Sequence, residues 1–194
     1  MAGSRIAGAV LAAGAGTRMG QPKAELRIGG MRLVDRAVAT LRAGGCDPVL
    51  AVVRAGVVVR DADVLVNTEP DRGMRSSLAL AVRAAADADA LAVLLVDAPG
   101  VGAEAVRRVV LAWQPGRITV ATFDAGRGHP IVMSPAMWHE ALALAGPDEG
   151  ARGYLAANAP LVDLVPVPGD PVDVDTPRDL VRWQAADNQP PGRD

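Results

Sequence analysis

Short apolar runs alternate along this chain with segments of helical periodicity, and this alternation limits the possible folds more than any other feature. Such a pattern is typical of strand–helix–strand units, in which helices cover a parallel sheet. Half of the 194 residues are hydrophobic but only 3% are aromatic, so the core is built from aliphatic side chains, as in buried parallel sheets. We therefore predict an α/β fold: one Rossmann-like, three-layer αβα domain around a mainly parallel sheet.

The predicted domain spans residues 1–186, and the polar, proline-containing tail at 187–194 is expected to be disordered. Strands are predicted at residues 6–11, 49–53, 64–66, 92–96, 118–122, 130–133 and 161–165. Helices are predicted at residues 32–43, 75–86, 104–113, 135–145, 151–158 and 177–186. Residues 54–63 are too few for a full crossover helix between the two strands that they join.

The segment that follows the first strand reads Leu-Ala-Ala-Gly-Ala-Gly-Thr-Arg-Met-Gly-Gln-Pro-Lys. Its three glycines, Gly14, Gly16 and Gly20, allow a tight turn and a close approach of the backbone to a ligand. Arg18 and Lys23 add two cations beside the exposed backbone N–H groups of the turn. A glycine-rich turn with added positive charge is suited to binding phosphates.

Two common phosphate-binding motifs do not match this loop. A Walker motif requires Lys and then Ser or Thr directly after its last glycine, but Gly20 is followed by Gln21 and Pro22. A dinucleotide fingerprint requires its third glycine one residue earlier and an acidic residue after the second strand, where this chain has Arg54. An NADP-dependent oxidoreductase that uses Arg54 is accordingly the least favoured alternative.

Two carboxylates are candidates for a metal site. Asp97 ends a hydrophobic strand, at the edge of the sheet where open α/β folds bind ligands, and Asp175 precedes the last helix. One or two carboxylates together with substrate phosphates are the usual ligands of Mg²⁺. Asp173 lies on the same side of an extended segment as Asp175 and is a weaker third candidate. The alternative functions are the capping of a turn by Asp97 and an interaction of Asp175 with the helix dipole.

A polar segment after the third predicted strand contains Asn67, Gly73, Ser76 and Ser77. Its hydroxyl groups and the free N–H groups of the following helix can donate to a nucleobase or a phosphate, although ordinary helix capping would use the same groups. His129 begins another strand and is either a buried hydrogen-bonding side chain or part of a substrate pocket.

Composition and charge exclude several classes of function. The formal net charge of −2 and the lack of a basic patch interleaved with aromatic residues argue against nucleic-acid and membrane partners. The single cysteine, Cys46, offers neither an internal disulfide nor a zinc site. No apolar run is long enough to span a bilayer, and no signal peptide precedes the first strand, so a cytoplasmic location is expected.

Together, these motifs resemble the MobA-like nucleotidyltransferase family, and in particular its molybdenum cofactor cytidylyltransferase branch. The similar segments are residues 11–23, 67–78, 97–99, 128–130, 148–152 and 173–177. The Leu-Ala-Ala-Gly start of the loop favours the cytidylyl branch, because guanylyltransferase relatives usually carry Leu-Ala-Gly-Gly. Ala98, Arg75, Leu80 and the short segment 54–63 depart from the family pattern, which leaves the identity of the acceptor open.

The resemblance implies a GT-A-like nucleotidyltransferase fold and a Mg²⁺-dependent transfer from CTP to the terminal phosphate of molybdopterin, with release of pyrophosphate. It implies catalytic roles for Arg18, Lys23 and Asp97, a metal site at Asp97 and Asp175, and acceptor contacts by His129 and Arg152. The implied nucleotide-binding residues are Leu11, Ala12, Ala13, Gly14, Gly16, Thr17, Arg18, Lys23, Asn67, Gly73, Ser76 and Ser77.

Three alternatives stay open at this point. The donor could be GTP, as in a guanylyltransferase, or the acceptor a sugar phosphate, within the same fold. The chain could also be a non-catalytic maturation protein that binds a nucleotide or a pterin. A transient contact with a client molybdoenzyme is expected for the molybdopterin function.

Overall fold

The computed structural model describes residues 4–146 and 149–187, so Pro147, Asp148 and most of the predicted tail lie outside the described residues. In chain order its strands are β1 (Ile6–Ala12), β2 (Arg27–Ile28), β3 (Met31–Arg32), β4 (Val49–Val53), β5 (Asp63–Val66), β6 (Ala90–Leu95), β7 (Ile118–Phe123), β8 (Gly126–Met133) and β9 (Val162–Pro166). Its α-helices are α1 (Leu33–Ala43), α2 (Met74–Ala84), α3 (Ala103–Ala112), α4 (Pro135–Leu144), α5 (Arg152–Ala157) and α6 (Pro177–Asp187).

Seven of the strands form one sheet in the order β5-β4-β1-β6-β8-β7-β9. Among the strands described in this sheet, β8 alone runs antiparallel to its neighbours, so the predicted, mainly parallel α/β sheet is confirmed. β4 and β6 flank β1 on opposite sides, and the direction of winding therefore reverses beside β1. In open sheets of this kind, ligands bind outside the carboxyl ends of the strands next to such a reversal.

Helices on both faces of the sheet create two aliphatic layers. Successive side chains of a strand point to opposite faces, so Val10 of β1 packs in the layer of α1 and α3, and Ala9 packs in the layer of α2 and α4. Trp138 of α4 is fully buried, and its indole N–H donates to the carbonyl oxygen of Leu91 at 2.8 Å. None of the helices described is long and apolar enough to cross a membrane.

Every predicted strand and helix is present, with shifts at the ends. The largest shift is in β8, which begins at Gly126 instead of residue 130, because it forms a hairpin with the end of β7. The short antiparallel pair β2–β3 was not predicted, since two residues per strand carry no recognisable periodicity. Helix α6 continues to Asp187, one residue beyond the predicted end of the domain.

Residues 54–62, all of them described, connect β4 to β5 without a helix, as the sequence predicted. Arginines at the two ends of α1 hold this connection by its backbone: Arg32 donates to the carbonyl of Val58 at 2.8 Å and Arg42 to that of Asp61 at 2.6 Å. Val59 packs into the core between them. These contacts take the place of the packing that a crossover helix would supply.

Candidate active site

The glycine loop, which we define as residues 11–23, leaves β1 and contains a short 3₁₀ turn at Thr17–Met19. A second 3₁₀ turn, Lys23–Glu25, begins at its last residue. Gly16 and Gly20 have φ angles of 61° and 70°, in the left-handed region that favours glycine. A Cβ atom at Gly16 would lie 2.0 Å from the backbone oxygen of Gln21, so this position also needs glycine for steric reasons. At Gly14, by contrast, no described atom outside its two chain neighbours lies within 4 Å of such a Cβ, which leaves room for a ligand against the backbone.

The side chain of Lys23 lies between Asp97 and Asp175, and we call these three residues the lysine–carboxylate cluster. The Nζ atom of Lys23 is 2.6 Å from Oδ2 of Asp97 and 2.6 Å from Oδ1 of Asp175. Only 17% of the Lys23 side chain and 19% of Asp97 are exposed, against 51% of Asp175. Burial alone would lower the pKa of Lys23, but the hydrogen bonds to Asp175 and Asp97 outweigh it and raise the pKa. The ammonium group therefore stays charged.

The segment before α6 reaches this cluster because its backbone pairs with the turn after β6. The N–H of Val174 donates to the carbonyl oxygen of Asp97 at 2.8 Å. The Val174 side chain is fully buried, so Asp173 and Asp175 point away from the core on the opposite side of the extended chain. Desolvation of its carboxyl group, followed by the charges of Asp97 and Asp175, raises the pKa of Asp173 to about 6.

The donor groups of the cluster fit a hard divalent cation such as Mg²⁺. Oδ1 of Asp97 is buried and, among the described residues, has no hydrogen-bond partner, while the other oxygen accepts from Lys23. The described residues contain no group of three His, Cys, Asp or Glu side chains that could hold a metal by themselves. Two carboxylates completed by substrate phosphates are the usual environment of Mg²⁺. Asp97 and Asp175 are therefore the residues that would hold it.

The Asn67 segment, which we define as residues 67–78, is organised by the amide of Asn67. Asn67 is 3% exposed. Its side-chain nitrogen donates to Oγ of Ser76 at 2.8 Å and to Oγ of Ser77 at 3.0 Å, and its side-chain oxygen accepts from the N–H of Glu69 at 2.9 Å. The amide is thus fully used inside the protein. In this arrangement Asn67 shapes the segment. Asn67, Gly73 and Ser76 border open space, whereas Ser77 is buried.

Arg75 and Leu80, two of the departures from the family pattern, line a groove of about 1380 Å³ between α2 and α4. Arg75 fixes one wall, because its Nε donates to the carbonyl oxygen of Leu142 at 2.9 Å. Ser76 borders the same groove, whereas the lysine–carboxylate cluster does not. The groove therefore adjoins the Asn67 segment and is separate from the candidate metal ligands.

The remaining predicted site residues differ in whether they interact with the lysine–carboxylate cluster. Nδ1 of His129 lies 3.1 Å from the carbonyl oxygen of Val93, so Nδ1 carries the proton and Nε2 is an acceptor. Burial lowers the pKa of His129 against the opposing effects of this hydrogen bond and of the Asp97 charge. Arg18 and Arg152 are exposed, and no hydrogen bond or ion pair within the described ranges joins either of them to the cluster.

Two features of the site were not predicted from the sequence. Lys23 was predicted as a phosphate-binding cation, but the prediction did not use the fact that it is the only lysine among the 20 Lys and Arg residues. A compact point charge can sit between two carboxylates, whereas a planar guanidinium binds in a different geometry. The second feature is Arg54, whose internal hydrogen bonds to two loops could not be foreseen without the tertiary structure.

A family model described as "MobA-like NTP transferase domain" matches residues 8–161 of this chain. The match covers the glycine loop, the Asn67 segment and Asp97. The chain belongs to the MobA-like NTP transferase family. The resemblance to this family is thereby confirmed, and the enzyme is a nucleotidyltransferase. Asp175, which completes the cluster, lies beyond the matched range.

Two curated relatives of this MobA-like transferase carry different names. "Nicotine blue oxidoreductase" of Paenarthrobacter nicotinovorans is 34% identical over 91% of this chain and 95% of that protein. "Probable molybdenum cofactor guanylyltransferase" of Opitutus terrae is 42% identical, but over only 52% of each chain. The family assignment therefore leaves the donor and the acceptor of this member to be established.

Among solved structures, Rv0371c from Mycobacterium tuberculosis H37Rv is 28% identical to this MobA-like transferase, with a TM-score of 0.79 over 95% of this chain and 100% of that one. A complex of Rv0371c with manganese is also similar, at 27% identity, a TM-score of 0.76 and coverage of 94% and 100%. A divalent metal thus binds to a protein of this fold.

Proposed function

We propose that this enzyme transfers a cytidylyl group from CTP to the terminal phosphate of molybdopterin and releases pyrophosphate, with Mg²⁺ as its metal. The lysine–carboxylate cluster beside an open glycine loop is the observation that carries this proposal. The Ala12-Ala13 pair in the loop favours CTP. The name of the Opitutus terrae relative, a probable molybdenum cofactor guanylyltransferase, supports molybdopterin as the acceptor. The same name makes GTP the competing donor.

In the proposed reaction, an oxygen of the acceptor phosphate attacks the α-phosphorus of CTP. A new phosphorus–oxygen bond forms while the bond from the α-phosphorus to the bridging oxygen breaks, and pyrophosphate leaves with that electron pair. A phosphomonoester is largely ionised near neutral pH, so the reaction needs no strong general base. Catalysis then depends on positioning and on neutralising negative charge.

The residues of this chain can supply both. The backbone N–H groups at Gly14 and Thr17 would hold the triphosphate, and the exposed Arg18 would add a second cation. The ammonium of Lys23 has three N–H donors, of which Asp97 and Asp175 use two, so one donor is free for a phosphate oxygen. When bound at Asp97 and Asp175, a divalent ion supplies Lewis-acid polarisation of phosphoryl oxygens. His129 and Arg152 are proposed to contact the acceptor.

The decisive test is pyrophosphate release by the purified protein with Mg²⁺ and molybdopterin, measured in parallel with CTP, GTP and ATP. We expect release with CTP and none from an Asp97→Asn variant of the same fold. Release with GTP alone would keep the mechanism and change the donor. No release with any of the three nucleotides, given folded protein and competent molybdopterin, would overturn the proposal.

A second candidate is an oxidoreductase activity, which the name of the Paenarthrobacter nicotinovorans relative suggests. In an NADP-dependent oxidoreductase Arg54 would contact the cofactor, but its guanidinium is bound instead to Ala13 and Asp71. Oxidation of NADH and NADPH with an artificial electron acceptor, followed by absorbance, tests this candidate in the same preparation.

A further inference from the structure

Arg54 connects the two loops that border the proposed nucleotide site. It directly follows β4, and its Nε donates to the carbonyl oxygen of Ala13 at 2.9 Å, while its Nη2 donates to Oδ1 of Asp71 at 2.5 Å. Ala13 belongs to the glycine loop, and Asp71 belongs to a short 3₁₀ turn within the Asn67 segment. One planar guanidinium thus holds two segments that lie 41 and 17 positions from it in the sequence.

The hydrogen bond to Ala13 fixes the direction of the next backbone N–H. The peptide between Ala13 and Gly14 is trans, and in a planar trans peptide the C=O and N–H groups point in opposite directions. Because the carbonyl of Ala13 faces Arg54, the N–H of Gly14 faces away from it. Ala13 is buried, whereas Gly14 is exposed and a Cβ atom there would meet open space, so the backbone at Gly14 borders the open side of the loop.

The hydrogen bond to Asp71 reaches the rest of the Asn67 segment through its backbone. The turn that contains Asp71 closes with a bond from the N–H of Gly73 to the carbonyl of Pro70, and the residue before this turn donates to the side chain of Asn67. A displacement of Asp71 therefore moves the start of α2 and the hydroxyl groups that follow it.

Stability alone does not account for the pair of Arg54 and Asp71. The Asp71 side chain is 87% exposed and that of Arg54 is 28% exposed. An ion pair this close to solvent contributes little to the free energy of unfolding, because water screens the charges and both side chains lose freedom. The geometry is better suited to holding two loops in a fixed relation.

We propose that Arg54 is a positioning residue, which directs the N–H of Gly14 toward the nucleotide phosphates and holds the Asn67 segment against the glycine loop. This inference rests on the proposed function, since it requires a nucleotide at the glycine loop. Arg54 acts through Ala13 and Asp71 and touches no reacting atom. Lysine cannot replace it, because a single ammonium on a flexible stem cannot donate to both Ala13 and Asp71 in the fixed geometry of a planar guanidinium.

The test compares Arg54→Gln, Arg54→Lys and Asp71→Asn with a control, Arg107→Gln, which removes an arginine–glutamate pair on α3. CTP with Mg²⁺ is titrated by calorimetry, and kcat and KM are measured with molybdopterin. For Arg54→Gln we expect the Kd and the KM for CTP to rise about tenfold, with a smaller change in kcat. This is the size expected for the loss of one charge-assisted hydrogen bond, here the one from the N–H of Gly14 to a phosphate. Arg54→Lys does not restore binding, and Arg107→Gln binds as the wild type does.

Asp71→Asn is expected to weaken CTP binding less than Arg54→Gln, because Arg54 keeps its bond to Ala13. It should add nothing in the Arg54→Gln background, because the hydrogen bond between the two side chains is already lost there. Hydrogen exchange of the protein without nucleotide gives an independent measurement. In Arg54→Gln, residues 12–16 and 67–73 should exchange faster together, while the strands of the core exchange at the wild-type rate.

The outcomes separate this inference from the proposed function. If the wild type binds CTP and Arg54→Gln binds it equally well, the inference is wrong and the proposed function stands. If the wild type binds neither CTP nor GTP, the proposed function and the inference both fail. Should Arg54→Gln not fold, the exposed Asp71→Asn variant decides: wild-type CTP affinity together with wild-type exchange at residues 67–73 would overturn the inference.

Discussion

The Nζ atom of Lys23 lies 2.6 Å from Oδ1 of Asp175, a residue 152 positions later in the chain. The same nitrogen also contacts Asp97, so the cation predicted to bind phosphate neutralises both carboxylates predicted to bind metal. The glycine loop, the turn after β6 and the segment before α6 therefore act as one electrostatic unit. Predictions about any one of these residues have to include the other two.

Lys23→Ala is expected to lower kcat/KM for CTP about 100-fold, because a donor aimed at the charge of the leaving pyrophosphate is lost. Lys23→Arg should not restore it, since the larger planar group cannot take the position between two carboxylates. Steady-state kinetics measure both effects, and thermal unfolding confirms that the variants fold. Wild-type kcat/KM in Lys23→Ala would show that the ammonium is only a structural charge.

The carboxylates can be tested by metal binding without turnover. We expect Mn²⁺ with CTP to bind the wild type, and Asp97→Asn and Asp175→Asn to weaken this binding about tenfold or more, because each removes one anionic oxygen ligand. The electron paramagnetic resonance signal of free Mn²⁺ gives the bound fraction. Asp124→Asn, at an exposed carboxylate outside the cluster, is the control. Equal Mn²⁺ affinity in all four proteins would place the metal elsewhere.

Substitutions of Gly16 and Gly20 in the glycine loop should lower stability by different amounts. Both Gly16→Ala and Gly20→Ala introduce a side chain at positive φ, which costs about 1 kcal/mol each. Gly16→Ala additionally places its Cβ 2.0 Å from the oxygen of Gln21, whereas Gly20→Ala meets no described atom within 4 Å. Urea denaturation should therefore show a larger loss in unfolding free energy for Gly16→Ala. An equal loss would contradict this steric account.

The buried thiol of Cys46 should make the free energy of unfolding depend on pH in the alkaline range. Burial raises the pKa of its thiol to about 12, whereas in an unfolded chain the pKa is about 8.5. Between these values the unfolded state has lost a proton that the folded state retains. The free energy of unfolding therefore falls as pH rises above about 8.5, by up to about 1.4 kcal/mol per pH unit from this group.

Urea denaturation of the wild type and Cys46→Ala at about pH 7.5 and pH 9.5 isolates this contribution, since all other groups are shared. The fall in unfolding free energy between the two pH values should be larger for the wild type. Equal falls would show that the thiol ionises in the folded protein as readily as in the unfolded one.

Much of this protein follows from local sequence. Uniformly apolar strands such as Val49–Val53, the glycines at positions 16 and 20, and an acidic residue at the end of β6 each have a local physical cause. Hydrophobic periodicity, turn-forming residues and helix-capping residues are recognised from neighbouring positions in the sequence. These elements and the segments of the site were therefore predictable. The ends of β8 and the pair β2–β3 were not, because hairpin partners decide them.

The sequence by itself determined the α/β class, the order of the elements and the residue types needed for phosphate and metal binding. Only the tertiary structure decided that β4 and β6 flank β1, that Val174 pairs with Asp97, and that Lys23 and Arg54 bridge distant loops. The physical reason is that strand order and long-range hydrogen bonds depend on how the whole chain buries its apolar surface. No local pattern specifies which distant partner a charged side chain will meet.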